Sequence, residues 1–187
     1  MRKNITTSTH TRQVAFFAAV SAFIAVIENW IVIPVPFFRL GLSNIPVMLA
    51  LEYFSFPYIA FIVMFKAVMA HLFRGTLLSI PFFIGLSGNV MYLLVCYPFW
   101  KICRSHVSFV SVSVLSALAH NAAQIMTALV FLPPSAVRMI GSMLVPLGCV
   151  SGVITGIIAN RIYNRYLVNG LPEPGGENSQ NEQKNNF

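Results

Sequence analysis

The chain has 187 residues, of which 57% are hydrophobic and only 9% charged, with a mean hydropathy of +0.74. A soluble domain carries roughly 25% charged residues, and no soluble core could hide this much apolar surface, so the composition excludes a water-soluble globular protein and leaves an integral membrane protein. The formal charge of +7 comes from basic residues set singly between apolar runs, which argues for membrane topology and against nucleic-acid binding.

Residues 1–13 are a polar, basic N-terminus, expected on the cytoplasmic side. The membrane domain is expected over 14–165, and the stretch 166–187 reads as a disordered cytoplasmic tail, rich in Pro, Gly, Asn and Gln. A helix needs about 20 apolar residues to cross a bilayer. Six candidate spans follow in order: 14–33, 44–56, 57–73, 77–99, 107–131 and 140–160. The second is short and is bounded by "GLSNIP" and "SFP". It reads as a half-helix, or as a segment that leans on its neighbours, since irregular backbone at membrane depth needs shielding by protein or water. The expected fold is therefore an all-α bundle of six transmembrane helices.

Six spans put both termini on one side. That side carries Arg2, Lys3, Arg12, Lys101, Arg104, Arg161, Arg165 and Lys184, against Arg39, Arg74 and Arg138 opposite. The positive-inside rule then places both termini in the cytoplasm of a multi-pass cytoplasmic-membrane protein. Five spans, omitting 44–56, would split the basic ends between the two sides.

Small residues four apart allow close helix contact in lipid. The sixth span carries Gly148, Gly152 and Gly156, read as internal bundle packing. The first carries the pairs Ala15/Ala19 and Ala18/Ala22. Two uses stay open for that face: packing within the bundle, or docking another membrane protein.

Polar side chains at membrane depth are functional candidates. Glu28 lies in the outer part of the first span, Arg39 and Asn44 on the loop "PVPFFRLGLSN", and Lys66 and His71 in the outer half of the third. His120, Asn121 and Gln124 interrupt the fifth span in "LAHNAAQ". At about 100° per residue, Ser113, Ser116, His120, Gln124 and Thr127 fall within an arc of about 80°, a single polar stripe flanked by Asn121. These groups point to one outward-facing pocket built from the loop and the first, third and fifth spans. The competing reading is a set of interhelical hydrogen bonds and ion pairs with no ligand. Asn89, in "GLSGNV", fits either the pocket or a helix contact.

No GxxxxGK[ST], HExxH or GxSxG occurs, and Cys96, Cys103 and Cys149 have no metal-ligand spacing. Aspartate is absent and the five glutamates are dispersed, so nothing can clasp Mg²⁺ on a diphosphate. The expectation is a protein that is not an enzyme and holds no metal or cofactor.

The stretch "IENWIVIPVPFFRLGLSNIPVMLAL" (27–51) resembles the pattern E-x(n)-P-x-P-x-x-K/R-L-G-L-A-N, and "VSVLSALAHNAAQI" (112–125) resembles a second block ending in A-H-N-x-x-Q. Together they resemble the Gx transporter family, whose members are often labelled heptaprenyl diphosphate synthase component I. That family is similar to the S components of energy-coupling factor transporters in the bacterial inner membrane: six-helix bundles that bind substrate and work with a membrane coupling subunit and two ATPases. The resemblance covers about residues 14 to 165. It implies that Glu28, Arg39, Asn44, Lys66, His120, Asn121 and Gln124 bind an unidentified small molecule, and that the first span's Ala15, Ala18, Ala19 and Ala22 dock a coupling subunit. Phe37 and Phe38 depart from the pattern's usual glycine, and Ser43 from its alanine. The synthase label conflicts with the absent aspartates. The alternative function is a non-catalytic membrane accessory or scaffold in isoprenoid synthesis.

Overall fold

The computed structural model describes residues 3–30, 40–103 and 107–168. Arg39, Arg104 and the tail from 169 lie outside the described residues. Six α-helices follow one another: α1 (Lys3–Trp30), α2 (Asn44–Ala50), α3 (Phe56–Phe73), α4 (Ile80–Cys103), α5 (Phe109–Phe131) and α6 (Pro134–Ile162), the last continued by a π-helical turn, Tyr163–Val168. No strand occurs among the described residues. Among the described residues five helices are long and apolar enough to cross a membrane, and α2 is not one of them. Large apolar side chains such as Phe23, Phe61, Met126 and Val130 cover the outside, as in a multi-pass membrane protein.

Local chemistry sets the helix starts. Ser55 precedes α3, with a proline in its first turn, a position where the missing N–H costs nothing. Ser108 caps α5, its hydroxyl accepting from Ser111 N–H at 3.3 Å. Pro133 and Pro134 open α6. Pro98 and Pro146 sit inside α4 and α6, tolerated where neighbouring helices shield the freed backbone. α1 starts at Lys3, so the basic N-terminus is continuous with the first span.

The second expected span, 44–56, is corrected: its helix is only seven residues, followed by a turn at 51–53. The stretch runs alongside α1. At its start, Leu42 N–H donates to Glu28 Oε1 at 2.6 Å. At its end, Phe54 meets the rings of Phe17 and His10 at 5.9 and 6.0 Å. Glu28 and Phe17 are about 16 Å apart along a helix rising 1.5 Å per residue. A short helix plus turns replaces a full span because α2 is enclosed: Val47, Met48, Ala50 and Leu51 are fully buried, so its irregular backbone meets protein and not lipid.

Direction alternates through the rest. Asn29 Nδ2 donates to Ala70 O at 2.9 Å, which sets α1 and α3 parallel. Phe56 meets Tyr97 at 5.3 Å, and Trp100 stacks on Phe109 at 4.4 Å. Phe83 meets Phe131 at the far end, and Phe109 meets Tyr163 at 5.0 Å. The first and last helices therefore begin and finish at the same end of the bundle, here called the termini end. α5 packs between α4 and α6, and α1 packs chiefly on α3.

Two apolar clusters fill the interior. The larger, with Met48, Leu51, Ile62, Cys96, Trp100 and Phe109, occupies the termini half. The smaller, Ile84, Ala128 and Val137, lies toward the far end. Between them the bundle is polar.

Candidate functional site

The polar layer encloses a cavity of about 50 Å³. α5 supplies His120, Asn121 and Gln124, α3 supplies Lys66, and the segment entering α2 supplies Ser43 and Asn44. α4 adds Asn89 and Tyr92, and α6 adds Ser151. Five of the seven residues expected to bind substrate thus meet at one place, drawn from three elements far apart in sequence.

Three glycines make room for them. A Cβ on Gly88 would lie 2.7 Å from the His120 ring and 2.9 Å from Gln124 Cγ. A Cβ on Gly148 would lie 1.9 Å from Asn121 Nδ2, and one on Gly85 2.6 Å from His71 Nε2. Each polar side chain occupies the space a larger residue would take. Gly152 and Gly156 do something else: their faces meet the α5 backbone at Val114 and Val110, the close packing expected of that ridge.

The amides are oriented by backbone. Asn121 Nδ2 donates to Leu144 O at 2.8 Å, and Asn89 Nδ2 to Gly85 O at 2.8 Å. Lys66 Nζ donates to Asn44 Oδ1 and lies 5.6 Å from the centre of the Tyr92 ring. Lys66 is 4% exposed, so its ammonium is held by amide and aromatic partners in a place where an unsupported charge is costly. None of the described lining residues is acidic. Gln124, also 4% exposed, has a buried Oε1 with no hydrogen-bond partner among the described residues. Such an atom costs about 1–3 kcal/mol unless water or a ligand satisfies it.

Glu28 is placed outside the lining. It is buried, and its carboxylate accepts from Leu42 N–H at 2.6 Å and from Ser43 N–H at 3.4 Å. It anchors the segment that covers the cavity. Thr155 Oγ1 donates to Leu40 O at 3.3 Å from the opposite side. Gly41 turns this segment at φ +77°, a conformation that disfavours any side chain. α1 therefore acts through the cover and contributes no wall, unlike the pocket expected from the first, third and fifth spans. Arg39 lies outside the described residues.

The α5 stripe is resolved unevenly. Ser113 and Ser116 are buried below the cavity, His120 and Gln124 line it, and Thr127 instead lines an outer groove with Met126 and Phe131. His71 is fully buried beside the site, its Nδ1 3.0 Å from Thr76 Oγ1 and its ring edge-on to Phe82. Sequence reading passed over Tyr92, Ser151 and the seats at Gly85 and Gly88. Two glycines three apart in "GLSG" were the available signal, since they leave one helix face without side chains.

On α1, Ala18 and Ala22 are buried within the bundle, whereas Ala15 and Ala19 are exposed. No group of three or more His, Cys, Asp or Glu side chains able to hold a metal ion occurs among the described residues.

A family model described as heptaprenyl diphosphate synthase component I matches residues 17–162, which takes in every helix that lines the cavity. No curated protein and no solved structure matches the chain.

Proposed function

We propose, from the premise that this chain belongs to the heptaprenyl diphosphate synthase component I family, the Gx transporter-like family, that it is the substrate-binding membrane subunit of an uptake system. The observation that carries the reading is the convergence of Asn44, Lys66, His120, Asn121 and Gln124 on one cavity whose described lining has no acidic residue. The buried, unsatisfied Gln124 Oε1 supports an occupant with a donor group. Lys66 suits an anionic or electron-rich group on the same molecule.

The cavity, about 50 Å³, is smaller than the roughly 300–1,000 Å³ of ordinary ligand sites and has room for a few waters. Loading then requires the cover, Leu40–Asn44, to lift from Glu28, Thr155 and Lys66. In this reading the far end faces outward and both termini are cytoplasmic, in line with the positive-inside count. On the same reading the bundle would take the six-helix arrangement of S components, with the 40–54 stretch as a short second crossing. Energy comes from a partner's ATP hydrolysis, since the chain carries no nucleotide-binding motif. Of the four alanines, Ala15 and Ala19 present the exposed pair suited to a coupling subunit.

The family's description as heptaprenyl diphosphate synthase component I favours a second reading, a non-catalytic membrane accessory to isoprenoid synthesis. The absence of aspartate argues against an aspartate-rich Mg²⁺-diphosphate site in this chain in either case.

The test is a small-molecule screen by thermal shift on the purified protein. A ligand that stabilises wild type and fails to stabilise Lys66→Ala and His120→Ala supports the site. Equal stabilisation of both variants contradicts it.

A further inference from the structure

A second, larger space opens at the termini end, away from the central cavity. The end of α4, the start of α5 and the end of α6 enclose a cleft of about 590 Å³, within the range of ordinary ligand sites. Its lining includes Lys101, Ser108, Asn160, Tyr163 and Asn164, and no acidic residue among the described residues. Lys101 is exposed, its ammonium 5.7 Å from the centre of the Tyr97 ring. Ser108 marks the first turn of a 23-residue helix, whose N-terminal N–H groups and dipole favour an anion. Asn160 and Asn164 stand one turn apart on the facing helix.

Trp100 supplies the independent observation. It also lines the cleft, is 4% exposed, and its ring stacks on Phe109 at 4.4 Å. Its Nε1 is buried and has no hydrogen-bond acceptor among the described residues. An indole N–H can only donate, so this unsatisfied group asks for an acceptor from outside. Around the donors lie Ile102, Val107 and the Phe109 ring, an apolar border at the mouth of a membrane-embedded bundle.

We propose that this cleft binds a phosphate-bearing group. An ammonium, an indole N–H, amide and hydroxyl donors and a helix N-terminus together match an oxyanion with several acceptor oxygens. The chemistry is shared by the headgroup of an anionic glycerophospholipid and by free phosphate. The apolar border distinguishes them only by favouring acyl chains.

The experiment is native mass spectrometry of the delipidated full chain in detergent, offered dioleoylphosphatidylglycerol or dioleoylglycerol, with and without inorganic phosphate. Phosphatidylglycerol is expected to be retained in preference to dioleoylglycerol, and Lys101→Gln to lower that retention about fivefold, the worth of one basic residue near a membrane surface. Trp100→Phe keeps the ring, removes the N–H, and is expected to lower retention as well. Its folding is checked by thermal unfolding. Displacement of the lipid by inorganic phosphate identifies phosphate itself as sufficient, and failure to displace identifies the lipid as the occupant. Equal retention of the two lipids, or retention in both variants at the wild-type level, overturns the proposal.

Discussion

The two ends of the α6 glycine ridge look alike in sequence and differ in what they face. At Gly152 and Gly156 an added Cβ would lie 3.0 Å from Val114 Cα and 2.5 Å from Val110 Cα, so the obstacle is backbone. At Gly148 the obstacle is the amide tip of Asn121. The same four-residue spacing holds two helices together at one end and makes room for a cavity-lining side chain at the other. A small-residue motif therefore reports close approach, and only the neighbour decides whether the consequence is stability or recognition.

Breaking the ridge at its two ends should separate those consequences. Gly156→Ala gives the largest loss of stability: backbone on α5 cannot move aside locally, and overpacking of this kind costs about 1–3 kcal/mol. Thermal unfolding of the purified protein measures it. Gly148→Ala costs less, about 1 kcal/mol for the displaced Asn121–Leu144 hydrogen bond, because a flexible side chain can yield. Its main effect is expected on ligand binding.

Glu28→Gln sharpens the comparison from the cover. The side chain keeps its size and one acceptor oxygen, but hydrogen bonds to a neutral group are weaker by about 1 kcal/mol. The cover should open more often. Thiol labelling of Leu40→Cys, in a background where Cys96, Cys103 and Cys149 are replaced by serine, is expected to accelerate without a comparable fall in melting temperature. Labelling from the outer face of the membrane alone would also support the proposed orientation. The smallest effect belongs to the exposed face of α1. Ala19→Leu should change stability by no more than about 0.5 kcal/mol, whereas Ala18→Leu, at a position 2% exposed, should destabilise the bundle measurably.

Much of this arrangement was legible from residue types. Apolar runs marked the five long helices, and the cost of burying His120, Gln124 and Lys66 marked them as neighbours of something polar. Periodicity placed His120 and Gln124 on one face of α5, but Thr127, one turn further on, turned outward into a lipid-facing groove. A helical wheel carries angle and says nothing of where the neighbouring helix diverges. Glu28 was legible as buried and not as a cover anchor, because its partners are the backbone N–H groups of Leu42 and Ser43, and backbone donors leave no trace in side-chain patterns. The helix α2 is too short for a span, although the run 44–56 is apolar enough to suggest one. Length measures a helix facing lipid, and α2 is enclosed by protein.

The most direct test of the cavity as a ligand site compares Gly148→Ala with Gly152→Ala in one ligand-induced thermal-shift titration. The account predicts that Gly152→Ala melts lower than wild type yet keeps the ligand-induced shift, whereas Gly148→Ala loses the shift. Loss of the shift in Gly152→Ala with retention in Gly148→Ala would contradict it.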